Sequence, residues 1–177
     1  MAKVRSRRLV IDASVARSAG GPTATEPRSK ACREFLLSVL SICHQVVMTP
    51  EIADEWKRHQ SSFARSWRVQ MEGRKKVFRP GGTQDESLLQ HCERTFQDPG
   101  DQEAAAKDLH LLDAALATDR TIASLDEAAK GLFATLSELA RNVAAINWVN
   151  PERPEEHVIA WLAAGAQREQ GRQLKKD

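Results

Sequence analysis

The residues in this chain best placed to do chemistry are acidic. Asp12 closes the apolar run RLVID (8–12), and Asp126 directly follows the run TIASL (121–125). Glu55 lies about a turn and a half of helix beyond the run QVVMT (45–49), and Asp108 opens the helical pattern that leads into TIASL. Carboxylates gathered without a cation repel one another, and some must then hold their protons more tightly. Mg²⁺ or Mn²⁺ removes that penalty, because these hard cations take oxygen donors and are held by a few carboxylates with water completing the shell. A cation so held activates water toward a phosphodiester and offsets charge on the leaving oxygen. No serine, cysteine or histidine nucleophile is then required.

Each acid also has a plainer use. Asp12 and Asp126 suit helix N-caps, a position that favours Asp. Glu55 shares its helix face with Glu51 and adjoins Asp54, so a solvated face accounts for all three. Asp113 competes with Asp108, whose spacing to Asp126 fits better. His110 reads as a packed or partly exposed residue rather than a ligand.

The elements that would position these acids follow from periodicity. Four β-type runs, 8–12, 45–49, 121–125 and 144–149, are separated by helical patterns. Helices are predicted over 28–42, over 50–73 as two pieces broken near Ser61-Ser62, over 84–97, over 102–118, from Asp126 to Arg141 and from Pro154 to Gly171. DPGD (98–101) reads as a turn, GGPTATEP (20–27) and RPGG (79–82) as loops, and the terminal GRQLKKD as frayed. Strands alternating with helices predict an α/β fold with a parallel sheet, whose sites form beyond the carboxyl ends of the strands. The acids at 12, 55 and 126 all stand near that edge.

A chain of 177 residues suits one domain with a sizeable core. Its formal net charge is only +2, but the distribution is uneven. Between Trp56 and Arg79, Lys57, Arg58, Arg65, Arg68, Arg74, Lys75, Lys76 and Arg79 face the single acid Glu72, which leaves the rest of the chain negative. Trp56, Phe63, Trp67 and Phe78 interleave with these cations. Aromatics so placed either stack on unpaired bases beside a phosphate-binding surface or, at the helical spacing of Phe63, Trp67 and Met71, simply fill a core. A grip on a protein partner is the third use of such a region. Cys32, Cys43 and Cys92 are widely spaced with no C-x-x-C, so neither a zinc knuckle nor a disulfide framework is indicated and a reducing, cytoplasmic setting fits best. No signal-peptide core forms after the basic start, and no apolar stretch is long enough to span a bilayer.

The stretches LVIDAS (9–14), TPEIADEW (49–56) and KDLHLLDAALATDRTIASLD (107–126) together resemble the PIN-domain family, metal-dependent ribonucleases that include VapC-like toxins. The likeness covers roughly residues 8–149. On that resemblance Asp12, Glu55, Asp108 and Asp126 match the four catalytic, metal-holding acids, and Ser14 matches a small polar residue that supports the site from behind. The resemblance implies a three-layer α/β/α sandwich with a central, mostly parallel sheet. It also implies Mg²⁺ or Mn²⁺ as cofactor and RNA as substrate, with an antitoxin protein and a homodimer left open as partners. The chain departs from the small toxins in its expanded basic region (56–100) and in a C-terminal helix (154–171).

Other phosphate chemistries fit less well. The P-loop pattern G-x-x-x-x-G-K-S/T is absent, and DASVARSAGG after the first strand is not a dinucleotide fingerprint. Aspartyl-phosphate phosphatases want a second Asp two residues after the first, where this chain has Ser14. Two readings remain: a metal-dependent endoribonuclease, and a non-catalytic PIN-like scaffold that binds RNA or a protein.

Overall fold

The computed structural model describes residues 5–81 and 85–175. Five short strands form one sheet: β1 (Arg8–Ile11), β2 (Gln45–Val47), β3 (Val77–Phe78), β4 (Thr121–Ala123) and β5 (Asn147–Val149). The order is β3-β2-β1-β4-β5 and every pairing is parallel, with Leu9 opposite Val46, Val10 opposite Ile122 and Ile122 opposite Trp148. Parallel strands covered on both faces must be apolar throughout, and Leu9, Val10, Ile11, Val46, Val47, Ile122, Ala123, Trp148 and Val149 are all buried.

Helices flank the sheet: α1 (Ala13–Ser18), α2 (Pro27–Ser41), α3 (Pro50–His59), α4 (Ser62–Gly73), α5 (Glu86–Thr95), α6 (Pro99–Lys107), α7 (Leu109–Leu116), α8 (Glu127–Leu136) and α9 (Val158–Ala163). The group α1, α2, α3, α4 and α9 packs together, as does the group α5, α6, α7 and α8, and the two meet where α3 touches α7. The result is the three-layer α/β/α arrangement. The chain runs outward from β1 through β2 to β3, then returns to lay β4 on the other side of β1. The sheet therefore reverses its winding between β1 and β4, and a crevice opens beyond their carboxyl ends.

Several expected elements differ. The two-residue β3 was not expected, because Val77-Phe78 is too short to show a period. The start of the expected strand 144–149 is instead a 3₁₀ turn (Val143–Ala145). DPGD is no turn but a helix start: the Asp98 side chain accepts from the N–H groups of Gly100 and Asp101, and Pro99 takes the first helical position. The expected helix 102–118 breaks at Asp108, which is both the last cap of α6 and the first of α7. α8 ends at Leu136, short of Arg141. The expected helix 154–171 shrinks to α9 between two 3₁₀ turns, because His157, Gly165 and Ala166 take positive φ (45°, 101° and 49°). The tail is held through Leu174, which is buried and whose N–H donates to the Ile146 carbonyl, while Gln173 bridges to Asn147; the last two residues of GRQLKKD lie outside the described residues. The first residue of the expected helix 84–97 lies outside the described residues. The break in 50–73 falls at Ser61, whose Oγ accepts from the Ala64 N–H and donates to the Ala19 carbonyl at 2.6 Å, tying α4 to the end of α1.

The aromatics of the basic region belong to the core. Trp56 and Trp67 are buried and stacked at 5.7 Å, and Phe63 packs against the same cluster. Phe78 is half-buried under the Arg8 guanidinium. Base stacking by the two tryptophans is thereby excluded, and helical spacing alone explains them. Cys32 and Cys92 are buried and free, and burial pushes the Cys32 thiol up to about 12. No helix among the described residues is long and apolar enough to cross a membrane.

Candidate active site

Beyond the ends of β1 and β4 lies a cavity of about 270 Å³ lined by Asp12, Ser14, Glu55, Asp108 and Asp126, together with Arg17, Arg58, His59 and Lys107. The four acids reach it from four separate segments.

Asp12 stands at the N-cap position of α1, yet its side chain makes no capping bond. Its Oδ2 instead accepts from Ser14 Oγ at 2.5 Å and from Ser124 Oγ at 2.8 Å. Those two hydroxyls are in turn fixed from the other strand: Ser14 Oγ accepts from the Leu125 N–H and Ser124 Oγ from the Asp126 N–H. The Asp12 N–H continues the sheet by donating to the Ala123 carbonyl at 2.9 Å. The network joins the ends of β1 and β4 and holds one carboxylate oxygen, leaving Oδ1 turned to other use. Capping, the plain account of Asp12, is absent.

Asp126 does cap: its Oδ1 accepts from the Ala129 N–H at 2.9 Å, fixing the start of α8. One oxygen is spent this way and the other is not. Asp108, between α6 and α7, makes no capping bond with its side chain. Burial, and after it the negative charge of Asp12, pushes the Asp108 carboxyl up to about 6, with Asp126 adding to the same effect and Lys107 opposing it. Asp108 thus feels the charge of both Asp12 and Asp126.

Glu55 is placed by its neighbour in sequence. The Trp56 indole donates to the Ile11 carbonyl at 2.8 Å, pinning α3 to the last residue of β1 and bringing Glu55 to the rim that Asp12 occupies. Glu55 Oε2 meets His110 Nε2 at 3.2 Å, which is the junction of α3 with α7. Glu51 and Asp113 line an adjoining cavity of about 500 Å³ and not this one, whereas Glu55 borders both. Burial raises the Asp113 carboxyl as well, although the Asp85 N–H donates to it.

Hard oxygen donors sharing one concave site fit Mg²⁺ or Mn²⁺ in kind, and the mutual charge felt at Asp108 is what such an ion relieves. In their present rotamers the acids do not converge, for no group of three or more His, Cys, Asp or Glu among the described residues is arranged to hold a metal ion. Glu55 is engaged by His110 and Asp126 by its helix. Ser124 escaped the sequence reading although a signal existed: DAS (12–14) and SLD (124–126) are mirror images, each pairing Asp with Ser two residues away. The cations Arg17, Arg58 and Lys107 at the same cavity were likewise unforeseen. Comparison with protein-family models and with curated proteins returns no match.

Proposed function

We propose that the chain is a Mg²⁺- or Mn²⁺-dependent endoribonuclease of the PIN type, with Asp12, Glu55, Asp108 and Asp126 holding the ion. The observation that carries this reading is the shared cavity at the winding reversal of the sheet, in which the Asp108 carboxyl is raised to about 6 by burial and by Asp12 and Asp126. When bound, the cation supplies acidity to water and neutralises charge developing on the phosphodiester. Asp12, held through Oδ2 by Ser14 and Ser124, offers its second oxygen in a fixed direction. Asp126 does the same from its cap, and Glu55 becomes a donor on leaving His110. A toxin paired with an antitoxin, acting in the reducing cytoplasm, is the biological setting this reading suggests.

The test is cleavage of single-stranded RNA by the purified chain with Mg²⁺, Mn²⁺ or EDTA, alongside Asp12→Asn and Asp126→Asn. Cleavage that requires the metal and vanishes in both variants is expected; undiminished cleavage by the two variants sinks the proposal. One observation favours the second reading, a non-catalytic scaffold: the acids are not gathered into a metal-holding group as they stand. Absence of both cleavage and metal binding would select it.

A further inference from the structure

Each of three acid-bearing segments also brings a cation to the cavity. Arg17 follows Ser14 by three residues on α1, Arg58 follows Glu55 by three on α3, and Lys107 directly precedes Asp108. The fourth segment does not: Lys130, four residues after Asp126, pairs with Glu127 and is not part of the lining. The cations therefore occupy only the α1, α3 and α6 side. Arg17 and Arg58 are exposed, and among the described residues neither forms an ion pair, although four carboxylates share their cavity. All three cations stand in the last turn of a helix, where they complement the helix dipole. The dipole accounts for a cation in each last turn but not for three opening on one cavity, since Lys57 in the last turn of α3 does not.

We propose that Arg17 and Arg58 grip consecutive phosphates of one unpaired nucleic-acid strand and lay it along the α1–α3 side of the site. Arg is suited to this because its planar fork matches phosphate in a bidentate manner. A single strand is the form proposed because the two arginines and the acids line one recess, into which an unpaired backbone can bend. What the strand is held for rests on the nuclease reading; the grip itself does not need cleavage.

The experiment is equilibrium binding of a fluorescein-labelled oligouridylate to the full chain in EDTA across a salt series. Oligothymidylate, duplex RNA and polyglutamate serve as competitors. The double variant Arg17→Gln/Arg58→Gln is expected to bind more weakly and to lose about 1.4 from the slope of log affinity against log salt, about 0.7 per lost phosphate contact. The charge-matched double variant Lys57→Gln/Arg65→Gln should keep the wild-type slope. Both oligonucleotides compete if phosphate alone is read, and oligouridylate alone if the ribose is read as well; either supports the grip. An unchanged slope in the first variant, an equal loss in the second, or better competition by duplex or polyglutamate overturns it. Wild type that binds the strand but cuts nothing with Mg²⁺ or Mn²⁺ refutes the nuclease reading and leaves the grip intact.

Discussion

The indole Nε1 of Trp56 donates to the carbonyl oxygen of Ile11 at 2.8 Å, and the residue beside each partner, Glu55 or Asp12, lines the cavity. A core contact thus sets the distance between two acids that never touch. The same indole stacks on Trp67, whose own Nε1 donates to the Leu36 carbonyl, so α3, α4 and α2 form one rigid backing for the rim.

Trp56→Phe keeps an aromatic ring but removes that donor. The lost bond is worth about 1–3 kcal/mol when it orphans a buried acceptor. A lowered urea midpoint is expected, together with reduced cleavage under conditions where the variant remains folded. Lost stability with full cleavage would show that the bond does not position Glu55.

Asp108 supplies a pH signature. Its carboxyl ionises in the unfolded chain near the ordinary 3.8 but in the fold only at about 6, so the folded state binds the proton more tightly. The contribution to stability is complete below 3.8 and is lost as pH rises to about 6. Asp108→Asn removes this cost. In EDTA at pH above 7 the variant should be more stable than wild type by on the order of 1–3 kcal/mol, with no gain near pH 3.5. Added Mg²⁺ or Mn²⁺ should close the gap by stabilising only the wild type. Calorimetry across pH checks this, and a variant less stable at high pH contradicts it.

His44 gives the opposite slope. The ring is fully buried, with the Arg7 N–H donating to Nδ1 at 3.1 Å and Nε2 donating to the Leu162 carbonyl at 2.9 Å, so its bonds suit the neutral form. Burial holds its pKa below the usual 6.5, and the charges of Lys76 and Arg7 lower it further, against the Leu162 bond. The unfolded chain therefore takes up the proton first, and stability present above 6.5 is lost as pH falls through the lower folded value. Acid unfolding should begin in that window. His44→Gln should flatten the pH dependence there, although it lowers stability overall by disturbing a buried site.

The parallel α/β fold was legible because β-branched runs alternate with helical periods, and buried parallel strands must look that way. β3 was not, because two residues carry no period and it takes its place only from β2. The helix break at Asp108 was invisible for a related reason: LHLLDAAL continues a helical pattern, and only the main chain at φ −105°, ψ 7° ends α6 there. Asp12, Glu55, Asp108 and Asp126 line one cavity; the strand-end rule pointed to Asp12, Glu55 and Asp126, and the family resemblance to Asp108. Glu55 could not be separated from Glu51 by spacing, since both lie on one helix. The cavity lining separates them, since Glu55 belongs to it and Glu51 does not, and the Trp56 bond across 45 residues brings Glu55 to that rim.

Ser14 and Ser124 both donate to Asp12 Oδ2, and each also accepts from a backbone N–H of the β4–α8 turn. Asp12 is thereby aimed by two hydroxyls that are themselves tied to the β4–α8 turn. Ser124→Ala removes a buried donor and leaves the Asp126 N–H without its acceptor, a loss of about 1–3 kcal/mol. Ser14→Ala should cost less, because Ser14 is half-buried and water can reach its place. If the serines position Asp12, the double variant should need more Mn²⁺ for half-maximal cleavage of RNA while retaining wild-type affinity for oligouridylate in EDTA. Cysteine at 124, which keeps a weak donor, should recover part of the metal requirement. Equal Mn²⁺ curves for wild type and the double variant would show that Asp12 needs no such support.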